Sequence, residues 1–492
     1  MNRIMIAGTA SGCGKTTITC AVLQAFAGRG LKVMSYKCGP DYIDPMFHTR
    51  IIGVPSRNLD GFFMDRDTIR TLLVRNSRGA DISVMEGVMG FYDGLGMTDE
   101  GSSYALARDT GTPVVLVVNC RGMSRSIEAV ISGFAGFKKD AGIAGVIFNQ
   151  LPEKLYPAMQ AYCERIGLRP LGFFPAVAQA QIGSRHLGLI TAGEISDLKD
   201  KMQLLAQTAT QYLDLDGIME IAETAADWEP APDAGQTLSA GEPAPDAGQT
   251  LSAGGPAPDA GQTLSAGEPA PDAGQSISAG GPTGRSCRLR LACAQDAAFC
   301  FYYEDNLDLL RALGCEIVPF SPIADAHLPA GIDGLYLGGG YPELYAAQLE
   351  QNRSMRDEVR QAAKGGMPVY AECGGFLYLH RTLQTPDGGL FEMAGALDGS
   401  CRFAGKLQHF GYVTLTAACD TVLCRRGEKI RAHEFHRYRS DLACNAFDTE
   451  KGQAHWMSGV SQGNLLGGFP HIHFYANKEF AYHFVQSCAR RK

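Results

Sequence analysis

Four consecutive copies of a 13-residue unit interrupt this chain. Any fold of the chain must therefore consist of two halves, one on each side of the repeat. The unit reads Glu-Pro-Ala-Pro-Asp-Ala-Gly-Gln-Thr-Leu-Ser-Ala-Gly with small changes, and its copies fill residues 229–280. Each copy offers one Leu or Ile and no aromatic residue, so stacked copies would bury almost no apolar surface. The composition therefore predicts a disordered tether of about 52 residues, with a root-mean-square span on the order of 40 Å.

Outside the repeat, the composition is that of an ordinary globular protein. A chain of 492 residues is too long for one core and predicts two to three domains. The formal net charge is −8, and the repeat alone holds seven acids and no basic residue, so the rest of the chain carries about −1. This balance excludes the basic surface that nucleic-acid binding requires, and we expect no nucleic-acid partner.

The chain also lacks the marks of a secreted or membrane protein. Its start has no signal-peptide pattern, and no apolar stretch is long enough to span a bilayer, which predicts a cytoplasmic protein with no membrane partner. The fifteen cysteines are scattered without a C-x-x-C pair. Such cysteines are typical of reduced, buried thiols in a reducing compartment.

Short β-branched runs alternate with helical patterns on both sides of the repeat, which predicts an α/β fold with doubly wound parallel sheets. We predict domains at residues 1–225 and 285–492, joined by a linker at 226–284 that contains the repeat. The last hundred residues mix short strands and turns less clearly. The predicted strands are 4–7, 33–37, 82–86, 114–119 and 144–149 before the repeat, and 289–294, 316–320, 334–337 and 369–372 after it.

A phosphate-binding loop follows the first predicted strand and opens the first helix. In that position, backbone N–H groups and the helix dipole surround phosphates, and a loop lysine neutralises their charge. The loop departs from the strict spacing because Thr9 occupies the first glycine position, but Gly-Lys-Thr-Thr argues against a mere glycine-rich turn. The residues predicted to bind ATP are Gly8, Thr9, Gly12, Gly14, Lys15, Thr16 and Thr17.

Carboxylates follow two further strands at the same predicted sheet edge. Glu86 ends the strand at 82–86, where it can complete a Mg²⁺ site with the Thr16 hydroxyl, although an exposed turn acid is the alternative. Residues 37–45 follow the second strand and carry Lys37 and Asp41. Ligands of open α/β sheets bind at this edge, so both segments are candidates for a substrate site.

Cys373 lies in a second strand–turn–helix arrangement, far downstream of the phosphate loop. The apolar strand at 369–372 leads into Cys-Gly-Gly, and an apolar helix pattern follows. This arrangement exposes a nucleophile at the carboxyl edge of a sheet. An ATP site and a thiol nucleophile in one chain indicate an enzyme that releases ammonia in one domain and uses ATP to attach it in another.

Seven motifs in order give the chain a family resemblance. They are residues 8–17, 37–45, 86–90, 185–189, 296–299, 337–343 and the turn at Cys373. On these motifs the chain resembles the cobyrinate a,c-diamide synthase family over everything except the repeat. The amino-terminal half is also similar to dethiobiotin synthetase, which has the same glycine-to-lysine spacing. The carboxy-terminal half is similar to class I glutamine amidotransferases.

The resemblance implies ATP-dependent amidation of the a and c acetate carboxylates of a corrin, cobyrinate, with L-glutamine as nitrogen donor. The carboxylate would attack the γ-phosphate of ATP, and ammonia would then displace phosphate from the acyl phosphate. Mg²⁺ is the implied cofactor, with Thr16, Glu86 and Asp41 as metal-site residues. The implied substrate and phosphoryl site consists of Lys37, Asp41, Tyr42 and Asp93. Formation of a homo-oligomer stays open.

For the second domain, the resemblance implies a glutaminase in which Cys373 forms a glutamyl thioester. Backbone N–H groups of Gly339, Gly340 and Gly374 are the candidate oxyanion hole. His471 is favoured as the base over His473; the family has a similar His-x-His-Phe run here, and one of these two alternating strand residues is expected to be structural. His433 and His436 have a spacing that metal sites use, but no third ligand is evident, so we interpret them as scaffold or substrate-side residues.

Three alternatives remain beside this interpretation. Related synthetases amidate hydrogenobyrinate or nickel-sirohydrochlorin, and the sequence does not separate these macrocycles. A non-catalytic ATP switch of the partition-ATPase type is disfavoured, because Ala10 holds the position of the second lysine in those proteins. A degenerate amidotransferase serving as a binding scaffold is disfavoured by the presence of both Cys373 and His471. Departures from the family pattern occur at Ser184, Gln295 and residues 467–470.

Overall fold

A computed structural model of the protein describes residues 1–180, 192–228 and 289–490. The repeat at 229–280, predicted to be a disordered tether, and the motif at 185–189 lie outside the described residues. The described residues before and after the repeat pack against each other as one compact unit. No helix in the described part of the chain combines the length and apolar character needed to cross a membrane.

The amino-terminal half is built on a seven-stranded sheet in which all strands are parallel. Its strand order is β3-β2-β4-β1-β5-β6-β7. The five predicted strands are confirmed with ends that shift by at most one residue, and β3 and β7 are added. The strands are β1 (Arg3–Gly8), β2 (Val33–Cys38), β3 (Ser56–Leu59), β4 (Ile82–Glu86), β5 (Val114–Asn119), β6 (Ile143–Asn149) and β7 (Arg169–Phe174).

Helices cover both faces of this sheet, which is why its central strands are buried along their whole length. Side-chain caps fix three helix starts: Asp65 accepts from the backbone N–H of Thr68, Ser102 from that of Ala105, and Asp214 from that of Gly217. A π-helical turn occupies His48–Ile52. The helices are α1 (Lys15–Gly28), α2 (Ile43–Phe47), α3 (Arg66–Asn76), α4 (Ser103–Thr110), α5 (Ser126–Phe137), α6 (Tyr156–Arg165), α7 (Ala192–Tyr212) and α8 (Leu215–Glu223).

The carboxy-terminal half begins with a second α/β sheet. Its six strands are ordered β10-β8-β11-β13-β21-β20, and β20–β21 is the antiparallel pair among them. The short strands β9 and β12 pair with each other. The four strands predicted here are confirmed. The bounds are β8 (Leu289–Ala294), β9 (Phe299–Phe301), β10 (Cys315–Phe320), β11 (Gly334–Leu337), β12 (Gly339–Gly340), β13 (Val369–Glu372), β20 (Val460–Gln462) and β21 (Leu465–Gly468).

A largely antiparallel sheet with one parallel strand pair, which the sequence did not predict, occupies most of the last hundred residues. Its centre is a long hairpin of β16 and β17, and β22 pairs with β17. The pattern was unclear because two bulges break the alternation of β16. The strands are β14 (Thr382–Gln384), β15 (Leu390–Glu392), β16 (Ser400–Ala417), β17 (Lys429–Ser440), β18 (Phe447–Lys451), β19 (Ala454–Ser458) and β22 (His471–Ile472).

The helices of this half pack around the second α/β sheet. They are α9 (Glu304–Ala312), α10 (Ala346–Gln351), α11 (Arg353–Lys364), α12 (Gly374–Leu379) and α13 (Glu479–Ala489). The fourteen cysteines among the described residues are free thiols.

A buried ionic cluster joins the two halves. Asp305, at the start of α9, is almost fully buried. Its Oδ1 accepts from Arg75 Nη2 at 2.8 Å and from Asn76 Nδ2 at 2.9 Å, and it lies 3.7 Å from Arg57 Nε. Because a buried carboxylate needs such partners, this cluster fixes α9 against α3 and β3.

Candidate active sites

The phosphate loop runs from the end of β1 to the start of α1. Gly12 and Gly14 have φ values of +75° and +101°, which favour glycine. Asn149, at the end of β6, donates from Nδ2 to the Cys13 carbonyl at 2.8 Å. A Cβ at Gly14 would lie 2.1 Å from that nitrogen, so the close approach requires glycine. The loop therefore presents the N-terminus of α1 in the conformation that binds phosphate.

Lys15 is folded back into this loop. Its Nζ donates to the carbonyl of Ala10 at 3.0 Å and to that of Met89. Burial lowers the pKa of Lys15, and the nearby Lys37 adds to that shift. These carbonyls hold the ammonium within the loop.

Glu86, at the end of β4, is fully buried within a network of four polar side chains. Its Oε1 accepts from Thr16 Oγ1 at 2.5 Å and from Lys37 Nζ at 2.8 Å. Lys37 Nζ also lies 2.7 Å from Asp44 Oδ2, and His48 Nε2 lies 3.5 Å from Glu86 Oε2. Burial would raise the pKa of Glu86, but Lys37 and His48 outweigh it and hold that pKa well below its usual range.

The donor set at Glu86 fits a magnesium ion. Thr16 contributes a hydroxyl in contact with the carboxylate, and Mg²⁺ commonly takes only one or two protein ligands beside phosphate and water. Glu86 Oε2 is buried and accepts no hydrogen bond from a described residue. A cluster of three or more His, Cys, Asp or Glu ligands is absent from the described part of the chain. Thr16 and Glu86 are therefore the pair best placed for the ion.

Asp41 and Asp93 lie near this network but outside it. Asp41 Oδ1 accepts from the backbone N–H of Ile43 at 2.7 Å and of Asp44 at 3.2 Å, which caps the start of α2. Asp93 is exposed, and its Oδ2 accepts from the Gly90 N–H at 2.9 Å. The structure therefore brings Thr16, Lys37 and Glu86 together and gives Asp41 and Asp93 backbone partners in the adjoining loops.

Cys373 occupies the sharp turn between β13 and α12. Its φ of +44° and ψ of −96° are strained for a residue with a side chain. The Cys373 N–H donates to the Gly468 carbonyl at 2.7 Å, and its carbonyl accepts from Leu377 at 2.9 Å. These bonds hold the backbone of the turn on both sides, so the strained conformation is maintained.

His471 and Glu372 lie beside the thiol. Glu372 Oε2 lies 3.4 Å from His471 Nδ1, and its Oε1 accepts from the Tyr370 hydroxyl and from the Ile472 N–H at 3.3 Å. Burial alone would lower the pKa of His471, but Cys373 and Glu372 raise it to about 10. The charges of Cys373 and Glu372 therefore favour the protonated form of the imidazole. Sequence reasoning missed Glu372, although an acid at the end of an apolar strand was a usable signal.

The three glycines predicted for an oxyanion hole converge on this site. A Cβ at Gly339 would lie 2.6 Å from His471 Cε1, and a Cβ at Gly374 would lie 2.9 Å from the Gly340 backbone nitrogen. The backbone of β12 therefore approaches both the imidazole and the start of α12. Larger residues at these positions would displace the histidine or the turn.

The other histidines have different surroundings. His473 is fully buried, and its ring centroid lies 4.7 Å from that of Tyr303; burial, with Arg75 adding to it, lowers its pKa to about 3. The structure therefore keeps His473 neutral in the interface, while His471 is the histidine beside Cys373. His436 stacks on Phe469 with a centroid distance of 3.8 Å.

Tyr42 connects the two sites. It follows Asp41 in the chain, yet its ring packs on the carboxy-terminal half, with centroid distances of 4.5 Å to Tyr303, 5.1 Å to Phe301 and 5.2 Å to His471. The sequence predicted Tyr42 in the substrate site, and no local signal indicated this contact. The segment that carries Lys37 and Asp41 therefore touches the imidazole of the thiol site directly.

A cavity of about 730 Å³ opens beside the phosphate loop, at the ends of β6 and β7. Gln150, Phe173 and Pro175 form part of its lining. It adjoins the loop through Asn149, which precedes Gln150 and holds Cys13. Sequence reasoning did not identify this cavity.

Both sites lie within regions that match known families. Residues 4–187 match the CobQ/CobB/MinD/ParA nucleotide binding domain, and residues 290–479 match the CobB/CobQ-like glutamine amidotransferase domain. The chain is 37% identical over 487 residues to the cobyrinate a,c-diamide synthase of Listeria innocua serovar 6a, covering 97% of each chain.

Two further relatives with the same name come from distant organisms. The chain is 36% identical over 493 residues to the protein of Thermoplasma volcanium, covering 99% of this chain and 97% of that one. It is 35% identical over 502 residues to the protein of Salmonella typhimurium, covering 99% of this chain and 98% of that one. These alignments include both the phosphate loop and the thiol site.

Proposed function

Because the chain belongs to the cobyrinate a,c-diamide synthase family, we propose that it amidates the a and c acetate carboxylates of cobyrinate in cobalamin biosynthesis, using ATP and glutamine. One observation carries the proposal. Tyr42, on the segment that follows β2 beside the phosphate loop, packs on His471 of the thiol site. An enzyme that moves nitrogen from one site to another needs such contact, because free ammonia is protonated and lost in water.

The amino-terminal site activates the carboxylate. A cobyrinate carboxylate oxygen attacks the γ-phosphorus of ATP, and the bond from that phosphorus to the β–γ bridging oxygen breaks. ADP departs as the leaving group, and the cobyrinate carboxylate has become an acyl phosphate. The ammonium of Lys15 now contacts two backbone carbonyls. When ATP binds, phosphate oxygens take the place of these carbonyls, and the ammonium stabilises the negative charge of the phosphoryl group during its transfer. We assign the adenine of ATP to the cavity at Gln150 and Phe173, which follows the loop-contacting Asn149 in the chain.

Thr16 and Glu86 would hold Mg²⁺ at this site. The ion supplies positive charge to the phosphates when it is bound. Lys37 keeps the buried Glu86 ionised, and Asp44 keeps Lys37 in place. The network thereby presents a preorganised carboxylate and ammonium to the reacting groups without waiting for solvent to reorganise. Asp41 and Asp93 border the route by which a carboxylate would enter.

The carboxy-terminal site releases ammonia from glutamine. The Cys373 sulfur attacks the side-chain amide carbon, and the C–N bond breaks as His471 gives its proton to the leaving nitrogen. Backbone N–H groups at Gly339, Gly340 and Gly374 stabilise the oxyanion. Water then hydrolyses the glutamyl thioester to glutamate. Glu372 acts through His471, as a positioning residue that holds the ring and its charge.

Ammonia then passes to the acyl phosphate, where its nitrogen attacks the carbonyl carbon and phosphate leaves. Aromatic side chains enclose the contact between the halves, including Tyr42, Phe63 and Tyr303. An apolar wall favours neutral ammonia over ammonium, which keeps the nucleophile reactive.

Several finer features belong to this proposal. We propose a dethiobiotin synthetase-like fold for the domain at 1–225 and a class I-like amidotransferase fold for the domain at 285–492. A disordered linker at 226–284, a cytoplasmic location and homo-oligomer formation stay predictions.

The direct test is product analysis with purified protein. Incubation with cobyrinate, ATP, Mg²⁺ and glutamine should yield the a,c-diamide, identified by mass and by NMR, with one ADP formed for each amide. Parallel reactions with hydrogenobyrinate and with nickel-sirohydrochlorin should be much slower. Amidation of either alternative in preference to cobyrinate would contradict the proposed substrate.

A further inference from the structure

The hairpin of β16 and β17 has an exposed aromatic surface that neither catalytic site uses. Phe410 and Phe435 are 50% and 54% exposed, and their rings contact each other at a centroid distance of 5.4 Å. Leu407 is also exposed beside them. Clustered aromatic exposure of this kind indicates a binding surface, since isolated exposed residues rather than pairs are usual.

The bulges of β16 create this surface. Between Phe403 and Gln408 the register with β17 shifts, and it shifts again between Gln408 and Gly411. His409, inside the second bulge, has a φ of +41°, an unusual value for a residue with a side chain. Bulges redirect side chains beside active sites, and here they turn Lys406 and Phe410 outward.

Basic side chains surround the aromatic pair. Arg402, Lys406 and Arg437 are exposed, and they make no ion pair or side-chain hydrogen bond with any other described residue. The exposed positions of β17 carry one aromatic side chain, Phe435, among basic side chains that include Arg431 and Arg437. The surface therefore joins flat apolar area to uncompensated positive charge.

The same sheet face continues into the amidation site. Tyr412 and His433 are cross-strand partners, and His433 is also paired with His471 on β22. The Tyr412 hydroxyl donates to Asp60 Oδ2 at 2.8 Å, and a Cβ at Gly39 would lie 3.6 Å from that hydroxyl. Gly39 lies between Lys37 and Asp41, so the face reaches the loop of the synthetase site.

Arg431 fixes the hairpin against the amino-terminal half. Its Nη1 donates to the Phe62 carbonyl at 2.6 Å and lies 3.6 Å from Glu100 Oε1. On the amino-terminal half, the loop after β4 exposes Met89, whose carbonyl holds Lys15. An exposed apolar side chain is thus present on the loop that contacts Lys15.

We propose that the surface formed by Lys406, Phe410, Phe435 and Arg437, here called the hairpin surface, binds the macrocycle of cobyrinate during amidation. The inference rests on the proposed function. A corrin offers a broad apolar face rimmed by carboxylates, which matches an aromatic pair beside basic side chains. The domain that hydrolyses glutamine therefore also supplies substrate recognition to the reaction of the other half.

Two double variants test the hairpin surface. In Phe410→Ala/Phe435→Ala, the Kd of cobyrinate from equilibrium dialysis and its KM should both rise at least about tenfold, while the KM of ATP stays unchanged. In Lys406→Glu/Arg437→Glu, the KM of cobyrinate should rise at least about tenfold at low salt, and the rise should shrink at high salt. Melting curves check that each variant is folded.

Leu390→Ala and Arg353→Glu are matched controls, because both residues are exposed in the same half but lie outside the hairpin. Folded double variants that keep the KM of cobyrinate within about twofold of wild type would overturn the inference. An unchanged KM with loss of a dimer in sedimentation would assign the surface to a subunit contact, and would also overturn it. A wild-type chain that neither binds nor amidates cobyrinate would instead contradict the proposed function and this inference together.

Discussion

Each active site has a buried glutamate at the end of a parallel strand, but the two carboxylates have different partners. Glu86 contacts Thr16 and Lys37, and the lysine charge outweighs burial to keep it ionised. Glu372 contacts His471, and its charge helps to raise the pKa of that imidazole to about 10. Glu86 is thus kept ionised by the lysine ammonium, whereas Glu372 stabilises a histidine cation that can give up its proton.

The difference follows from the chemistry that each half performs. Phosphoryl transfer needs stable charges around a polyanion, and a lysine–carboxylate network supplies them without proton movement. Release of ammonia needs a proton at the leaving nitrogen, which a histidine can provide. A glutamate at the end of a strand therefore supplies a fixed negative charge in the amino-terminal half and supports proton transfer by a histidine in the carboxy-terminal half.

The largest expected effect is that of Cys373→Ala, which should abolish the use of glutamine but not the use of ammonia. Cys373→Ala should reduce glutamine-dependent synthesis by about ten-thousandfold or more, because the thioester cannot form. Synthesis with ammonium chloride should stay near the wild-type rate, since the phosphate site is intact. Steady-state rates with each nitrogen source check this.

Cys401→Ala is the matched control, because Cys401 is another buried free thiol of the same half. It should keep glutamine-dependent synthesis. Equal loss of both reactions in Cys373→Ala would contradict the division of labour between the two halves.

Glu86→Gln should reduce synthesis about a thousandfold with either nitrogen source. The substitution removes the charge that Thr16 and Lys37 contact, and so weakens the stabilisation of the transferring phosphoryl group. Glutamine hydrolysis should persist, uncoupled from ATP. The measurement is ADP release beside glutamate release. Near-normal ADP formation in the presence of cobyrinate would exclude Glu86 from the phosphoryl site.

Glu372→Gln should act on glutamine alone, with a loss of about a hundredfold. It should also move the alkaline limb of glutaminase activity to lower pH. The pKa of His471 is raised above its ordinary value, so the protonated form is retained until the pH rises through about 10. Removal of the Glu372 charge lowers that pKa, and the proton is lost earlier.

The pH profile of kcat/KM for glutamine, compared between wild type and Glu372→Gln, checks this prediction. A rate loss with an unshifted alkaline limb would mean that Glu372 supports only the local fold. Ammonia-dependent synthesis by the same variant provides the internal control, because it bypasses His471.

The smallest expected effect concerns the contact between the halves. Tyr412→Phe removes the hydroxyl that donates to Asp60, whose pKa burial raises to about 6. The free energy of unfolding should fall by about 1–2 kcal/mol, because the buried carboxylate loses a donor. Denaturant melts measure the change. Tyr482→Phe, a half-buried ring outside this contact, should have little effect.

Much of this architecture could be predicted from the sequence because it depends on local patterns. Buried parallel strands such as β4 and β5 read as apolar runs, and the turn at Cys373 has a glycine pair that few other structures require. Strand β3, with the sequence Ser-Arg-Asn-Leu, lacks such a run, and β7 contains both proline and glycine. Their pairing is decided by the neighbouring strands rather than by their own residues.

The parts that could not be predicted depend on contacts between distant segments. Tyr42 stands in a motif beside Asp41, and only the packing of the two halves brings its ring to His471. The β16–β17 hairpin was hidden because its bulges break the period that marks a strand. Glu372 gains its role from the return of β22, almost a hundred residues later, to the side of β13.

The central claim is that ammonia released at Cys373 reaches the acyl phosphate through the enclosed contact at Tyr42. The most direct measurement is the isotopic content of the product made from amide-¹⁵N glutamine in the presence of excess unlabelled ammonium. We expect the new amides to carry ¹⁵N, because the nitrogen passes between the sites without mixing with the solvent pool. Amides that carry mainly unlabelled nitrogen would contradict it.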